Sequence, residues 1–309
     1  MLKYAGASYA QLMSIRDFGL LALVCLVWAS NNIVSKFVVS HLNVPPLFYA
    51  ALRFGVVALA TLPWLLPMPR PRWRLILVAL LMGGGNFALL FLGLKTSTPS
   101  AAAVVGQLGV PITTLLSVVM LGERIHWRRV LGITLTFVGA LTVMYDPSGF
   151  SISQGLVYVV ASAIAGSLGA VMMKQIEGVK PLQFQAWVGL ASFVPLAMLS
   201  AWLEPGQVQQ GLAAGWPFIL AVLYSGVVVS AGAHTGYYFL IRRYEANLIS
   251  PLTLMTPLAT IALGVAIMHD PFGPRMAIGA AIALGGVLII AARRNHVMPL
   301  LLAIRNRAQ

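Results

Sequence analysis

Apolar residues in this chain run in long unbroken stretches rather than in the alternation of a strand or the single stripe of a surface helix. Ten stretches stand out, near 18–38, 47–66, 74–94, 101–121, 127–145, 155–174, 183–203, 216–240, 246–268 and 275–292. Each has about the roughly 20 residues that a helix needs to cross a bilayer. The polar punctuation between them is brief: the turn around Glu123–Arg129 separates the fourth from the fifth, and His269–Arg275 the ninth from the tenth. The pattern predicts an all-α membrane protein of ten transmembrane helices.

Composition agrees with that reading. Of 309 residues 59% are hydrophobic and 9% charged, against about 25% charged in a soluble domain. So few charges cannot cover a water-exposed surface at this length, whereas hydrocarbon tolerates them. The net charge of +13 raises nucleic acid as a partner, but the basic residues are scattered over short loops instead of gathered on one face. They act as an orientation signal instead. With the N-terminus inside, the cytoplasmic segments collect Lys3, Arg16, Arg70, Arg72, Arg74, Arg124, Arg128, Arg129, Lys174, Lys180, Arg242, Arg243, Arg293, Arg294, Arg305 and Arg307, which is 16 of the 20 basic residues. Outside fall only Lys95 and Arg275. This asymmetry places both termini in the cytoplasm, with anionic lipid as a secondary partner. The first stretch is too long for the apolar core of a signal peptide and continues into Asn31, Asn32 and Lys36, so it reads as a retained helix. A single cysteine, Cys25, excludes an internal disulfide.

The two halves resemble each other. Phe91, Gly93 and Leu94 precede Ser100–Ala103 and Pro111; Tyr237, Phe239 and Leu240 precede Ala246–Ile249 and Pro257, all at an offset of 146. At 147, Glu123 aligns with Asp270, Gly132 with Gly279 and Gly139 with Gly286. Lys36 aligns more weakly with Lys174, and Pro45 with Pro181. Five helices per copy is an odd number, so the second copy enters the membrane upside down, the arrangement of many secondary transporters.

These residues also carry a family resemblance. Trp28–Asn31 with Lys36, Pro46 followed by Leu52–Phe54, and Leu121–Glu123 followed by Gly132 and Gly139 resemble the ten-helix EamA branch of the drug/metabolite transporter (DMT) superfamily, and within it the YddG-type aromatic amino acid exporters. The resemblance implies a basket of two EamA-like repeats, 17–146 and an inverted 152–293, with a basic cytoplasmic tail at 294–309. It further implies export of small metabolites, most simply aromatic or other hydrophobic amino acids, across a bacterial inner membrane by alternating access. A monomer is the favoured state. The second copy departs from the pattern: Asp270 is followed by proline, and Gly189 stands where Arg53 stands in the first.

Polar groups at membrane depth face a cavity or another helix. Trp28, Asn31, Asn32 and Ser35 recur at helical spacing on one face, as do His234, Tyr237 and Tyr238. Such faces suit a ligand with a ring and a zwitterionic end, through stacking and cation–π contact. Hydrogen bonding between helices explains the same residues without a ligand. Asn86, beside Gly83–Gly85, and Gln107 complete the candidate substrate-binding set. Arg53 either binds a substrate carboxylate, snorkels to the outer face or braces the bundle through backbone carbonyls. Pro111 and Pro257 are hinge candidates, since proline removes a helical hydrogen bond. All seven carboxylates fall at loops or helix ends, leaving His234 as the midspan group that titrates near neutrality. The chain therefore couples transport to protons through His234 or runs solute down its gradient.

The chain contains no GxxxxGK[ST] loop for ATP, no HExxH pair or Cys/His cluster for a metal and no GxSxG nucleophile. No cofactor and no catalytic residues are expected. A channel or a scaffold shares the polar interior, but the inverted repeat favours transport.

Overall fold

The computed structural model describes residues 13–122, 127–146, 151–176, 178–244, 249 and 252–291. Its ten principal helices are α1 (Ile15–His41), α2 (Pro46–Ala60), α3 (Arg72–Thr96), α4 (Pro99–Leu121), α5 (Trp127–Met144), α6 (Gln154–Met173), α7 (Pro181–Leu203), α8 (Gly215–Ile241), α9 (Met255–Met268) and α10 (Pro274–Ala291). Eight are long and apolar enough to span a bilayer; α2 and α9 are shorter apolar helices. The only strands among the described residues are β1 (Tyr145–Asp146) and β2 (Ser151–Ile152), an antiparallel pair between the halves. A short helix, Gln207–Ala213, precedes α8. Glu123, the 294–309 tail and the second-copy residues 245–248 lie outside the described residues.

Element ends differ from the hydropathy pattern where backbone chemistry intervenes. The second apolar stretch extends to 66, but α2 stops at Ala60. Thr61 turns its hydroxyl back onto the Val57 carbonyl at 2.6 Å, and Pro63 then sits in a 3₁₀ turn, Leu62–Trp64, where its missing N–H costs no hydrogen bond. Five of the tryptophans, Trp64, Trp73, Trp127, Trp202 and Trp216, stand exposed at or beside helix ends, the position of an interfacial aromatic belt.

The helix pairings carry the repeat into three dimensions. Helix α2 packs on α7 and α5 on α10; α4 packs on α6 as α9 packs on α1; α3 packs on α6 as α8 packs on α1. Exchanging each helix with the one five places along leaves this scheme unchanged. In the α5–α10 seam a Cβ on Gly132 would lie 2.7 Å from the Gly286 carbonyl, and one on Gly139 would lie 2.6 Å from that of Gly279. Numbers rise along one helix as they fall along the other, so these equivalent helices run antiparallel, as inverted repeats require. Only glycine permits so close an approach.

The halves also break their helices at matching places. In α4, Gln107 and Leu108 donate to carbonyls three residues back, and Val110 donates to Gln107 at 3.0 Å. In the second half Thr256 donates to Thr253 at 2.9 Å, the same bond displaced by 146 residues. Pro111 and Pro257 each become the third residue of the helical segment that restarts after the break, where a proline is tolerated. Helices α3 and α8 likewise each contain a π-helical stretch, Leu81–Gly85 and Tyr224–Ala233. Pro195 lies inside α7, an interior proline outside the pair of hinge candidates.

Candidate functional site

Two polar regions occupy the interior, separated by α3. The first is open. A cavity of about 570 Å³ is lined by Asn86 of α3, Gly106–Ser117 positions of α4, Arg129 of α5, Gly166 and Ser167 of α6, Lys174, and Ile290 and Ala291 at the end of α10. A second cavity of about 220 Å³ shares Asn86, Gly106 and Ala163 with it and continues to Asn32 of α1, Gln107, and Pro257 and Thr260 of α9. The sequence supplies this space through small residues: Gly106 and Gly109 bring the broken backbone of α4 to the cavity surface. The mouth lies at the end of the bundle that carries Arg129 and Lys174, called the basic end below.

The inner end is held shut by polar contacts. Asn32 Nδ2 donates to Thr260 Oγ1 at 3.3 Å. Beyond it, Lys36 Nζ donates to the Leu94 carbonyl at 2.8 Å, where the exposed carbonyls and negative dipole at the C-terminal end of α3 favour a cation. The Asp270 carboxylate accepts from Ser100 N at 2.9 Å and from Ser100 Oγ at 2.5 Å, capping the start of α4. Glu204 does the same for α2, accepting from Leu47 N and Phe48 N at 2.9 Å each. At the opposite, basic end of the bundle, Asp17 accepts from the Tyr244 hydroxyl at 2.6 Å and pairs with Arg243 at 3.5 Å. The acids whose side chains are described are thus occupied by helix ends and by this pairing.

The second region is closed. Arg53 is 0% exposed. Its Nε and Nη2 donate to Ser230 Oγ at 3.2 and 3.0 Å, and its guanidinium carbon lies 4.0 Å from the centre of the Phe87 ring. Among the described residues no carboxylate pairs with it, and Nη1 is buried without a hydrogen-bond partner. Ser230 in turn donates to the Ser225 carbonyl at 2.9 Å. The π-helical winding of α8 makes that five-residue reach, and such windings recur at functional sites. The same winding brings His234 Nδ1 to 2.9 Å from the Val229 carbonyl; a carbonyl only accepts, so this nitrogen carries the proton.

The predicted site residues divide between these regions. Asn32, Asn86 and Gln107 line the open cavity. Asn86 also exchanges hydrogen bonds with Ser162, donating to its carbonyl at 2.9 Å and accepting at its own carbonyl from Ser162 Oγ at 2.8 Å. Asn31 and Ser35 are buried on the closed side: Ser225 Oγ donates to Asn31 Oδ1 at 2.8 Å, and Tyr49 OH lies 2.5 Å from Ser225 and 3.5 Å from Ser35. Trp28 packs against His234 and Tyr237 at centroid distances of 5.2 and 5.1 Å, and its Nε1 is buried without a hydrogen-bond partner. The two stripes therefore meet each other at this point. The side chain of Tyr238 lies outside the described residues. Gly189, aligned with Arg53, packs so closely that an added Cβ would lie 2.6 Å from Ala58 N; the second copy uses the position for helix contact, and Arg53 has no symmetric counterpart there.

Sequence reading missed Tyr49 and Ser225, the hydroxyls between Asn31 and Arg53, and the cavity-facing side chain of Arg129. Arg129 was legible in retrospect: Arg129, Gly132, Thr136 and Gly139 share one helix face, the face toward α10.

Known proteins show the same outline. The model of the EamA-like transporter family matches twice, at residues 18–145 and 153–292. A protein of Salmonella typhimurium described as a "Probable amino-acid metabolite efflux pump" is 28% identical over 90% of this chain and 95% of its own length, and an Escherichia coli protein of the same description is 27% identical over the same shares. A "Probable terminal-alkyne amino-acid exporter" of Streptantibioticus cattleyicolor is 24% identical, covering 88% of this chain and 92% of its own. A crystal structure at 21% identity superposes with a TM-score of 0.60 over 95% of this chain and 99% of that one, which shows the shared fold. With its family model matched in both halves, the chain belongs to the EamA-like transporter family of the DMT superfamily, and is a multi-pass membrane transporter of small molecules rather than an enzyme.

Proposed function

We propose that this protein exports amino acids, aromatic or otherwise hydrophobic, across a bacterial inner membrane by alternating access between the units 17–146 and 152–293. The observation that carries the reading is the cavity itself. It enters from the basic end, runs between the broken helix α4 and α6, and stops at the Asn32–Thr260 contact, where residues of both halves meet. Broken helices of matched halves around a blind polar cavity are the anatomy of a substrate site in transporters with inverted repeats. The charge census makes the basic end cytoplasmic, so the conformation is open inward.

Within this site Asn32, Asn86 and Gln107 are the amide groups that address a zwitterion. Trp28, His234 and Tyr237 form an aromatic wall behind α1, and Pro111 and Pro257 mark the flexible breaks. Relatives described as amino-acid efflux pumps and an amino-acid exporter support the substrate class. Arg53 serves as a buried brace, since its guanidinium is enclosed by Ser230 and phenylalanine rings.

The test is efflux from proteoliposomes loaded with labelled phenylalanine or leucine. Saturable, protein-dependent efflux that unlabelled Phe, Tyr or Trp competes for is the expected result. Flux that rises linearly without saturation identifies a channel, and no flux of any amino acid ends the transporter reading of this cavity. An alanine at His234 that leaves the pH profile of efflux unchanged selects facilitated diffusion over proton coupling.

A further inference from the structure

The helices that close the cavity are the repeat equivalents of the helices that open it. The open space runs between α4 and α6; α9 is the counterpart of α4 at an offset of 146, and α1 that of α6 at 138, the offset that aligns Lys36 with Lys174. Packing agrees with this register. An added Cβ on Gly109 would lie 4.0 Å from Ala163, and Met255, the equivalent of Gly109, packs on the cluster that contains Cys25, the equivalent of Ala163. Val110, Ala163 and Gly166 line the open cavity. Their equivalents are Thr256, Cys25 and Trp28. Cys25 is 0% exposed. Thr256 borders the inner end of the 220 Å³ cavity, and its Oγ1 is buried, facing the Cys25 thiol without a nitrogen or oxygen partner. Trp28 Nε1 is likewise buried and unpaired. These are two of the three orphaned side-chain polar atoms among the described residues, the third being Arg53 Nη1.

We propose that the α1–α9 seam is the solute-release cavity of the opposite, outward-open conformation, and that Cys25, Trp28 and Thr256 line it. The inference rests on the alternating-access reading above and names the residues of its second state. Two halves with one fold have the same arrangements available, so the splayed pair that α4 and α6 form here is open to α9 and α1 when the halves exchange states. A buried polar atom without a partner is costly, and natural proteins keep few of them. Two on one seam mark a surface that meets water during the cycle. Parting α1 from α9 hydrates the indole N–H and the threonine hydroxyl together and exposes the thiol between the helices. The seam is fastened by the Asn32–Thr260 bond at 3.3 Å. Above it, Lys36 Nζ holds the Leu94 carbonyl at 2.8 Å, and Ser40 Oγ the Lys95 carbonyl at 3.1 Å. Opening outward requires these contacts to break, which makes Lys36 the latch of the outer end.

Cys25 is the single cysteine of the sequence, so the full chain carries its own reporter. Right-side-out and inside-out membrane vesicles containing it are treated with a membrane-impermeant maleimide, and Cys25→Ala sets the background. Labelling in right-side-out vesicles, and slower labelling in inside-out ones, is the expected result, because the inward-open form buries the thiol. Lys36→Met is expected to raise the outside labelling rate about tenfold, the factor that one charge-assisted hydrogen bond represents in an equilibrium. Should Lys36→Met fail to fold, Ser40→Ala, which removes the bond to the Lys95 carbonyl, is expected to raise the rate by less. Efflux by labelled wild type is expected to stop, since an adduct keeps the seam from closing, whereas treatment leaves the efflux rate of Cys25→Ala unchanged. Labelling that stays at background from outside in a protein that exports amino acids, or that occurs from inside alone, overturns the assignment while leaving the transporter standing. No efflux of any amino acid by the untreated protein overturns both.

Discussion

The two polar interiors of this protein are built from the same residue types and behave oppositely. The open cavity has glycine breaks, hydroxyls and amides around empty volume, with its cations at the mouth. The closed region behind α3 encloses Arg53 with Ser230, Tyr49, Ser225 and Asn31, at bonding distances of 2.5–3.2 Å. The difference lies in what surrounds the polar atoms. Around Arg53 the phenylalanines of α2 and α3 fill the remaining space, and the guanidinium draws on their ring faces, an attraction worth about 2 kcal/mol when desolvated. Around Asn86 the neighbours are Gly106, Gly109 and Gly166, which fill nothing. A buried polar group thus becomes a brace when large side chains close over it and a binding surface when small ones do not.

Four substitutions sharpen that contrast. The largest effect is expected from Arg53→Ala, which leaves a cavity and removes both donors to Ser230 Oγ; it should cost on the order of 2–5 kcal/mol, read as loss of monodisperse protein or a lowered melting temperature in detergent. Arg53→Met keeps the aliphatic volume and removes the charge. If Arg53 is only a brace, this variant retains transport with a much smaller loss, because replacing a buried charge by a packed apolar group is often close to neutral. Abolished efflux in a stable Arg53→Met protein would move the substrate to the closed region.

On the open side, Ser162→Ala removes one of the two reciprocal bonds that fix Asn86 and should cost about 1 kcal/mol. Its signature is a raised KM with little change in melting temperature, since Asn86 keeps its bond to the Ser162 carbonyl. The smallest effect belongs to Trp28→Phe. The ring contacts with His234 and Tyr237 survive in part, and the buried N–H that lacks a partner disappears. Melting temperature should move by little, within about 1 kcal/mol of stability; a large rise in KM instead would identify Nε1 as a substrate donor.

Much of this was readable from the pattern of residues. Ten apolar stretches predicted ten helices, and the 146-residue offset anticipated that Gln107–Pro111 and Thr253–Pro257 break their helices alike. The glycines that the repeat aligns, Gly132 with Gly279 and Gly139 with Gly286, meet in the close seam of α5 and α10, a contact that the alignment alone did not state. Helical periodicity also placed Asn31 and Asn32 on one broad face. It could not say that a single helix face would be divided between two compartments, because a helix presents adjacent residues about 100° apart and a neighbour such as Tyr49 or Thr260 decides which compartment each enters.

Sequence by itself determined the solvent of this protein, its helix count and its internal repeat, because hydropathy and spacing are properties of single segments and of their order along the chain. Tertiary structure alone decided that the cavity opens beside Arg129 and closes at Asn32 and Thr260, and that Arg53 is sealed behind α3. Those outcomes depend on which side chains from distant segments meet, and on whether their combined volume fills the space between the helices.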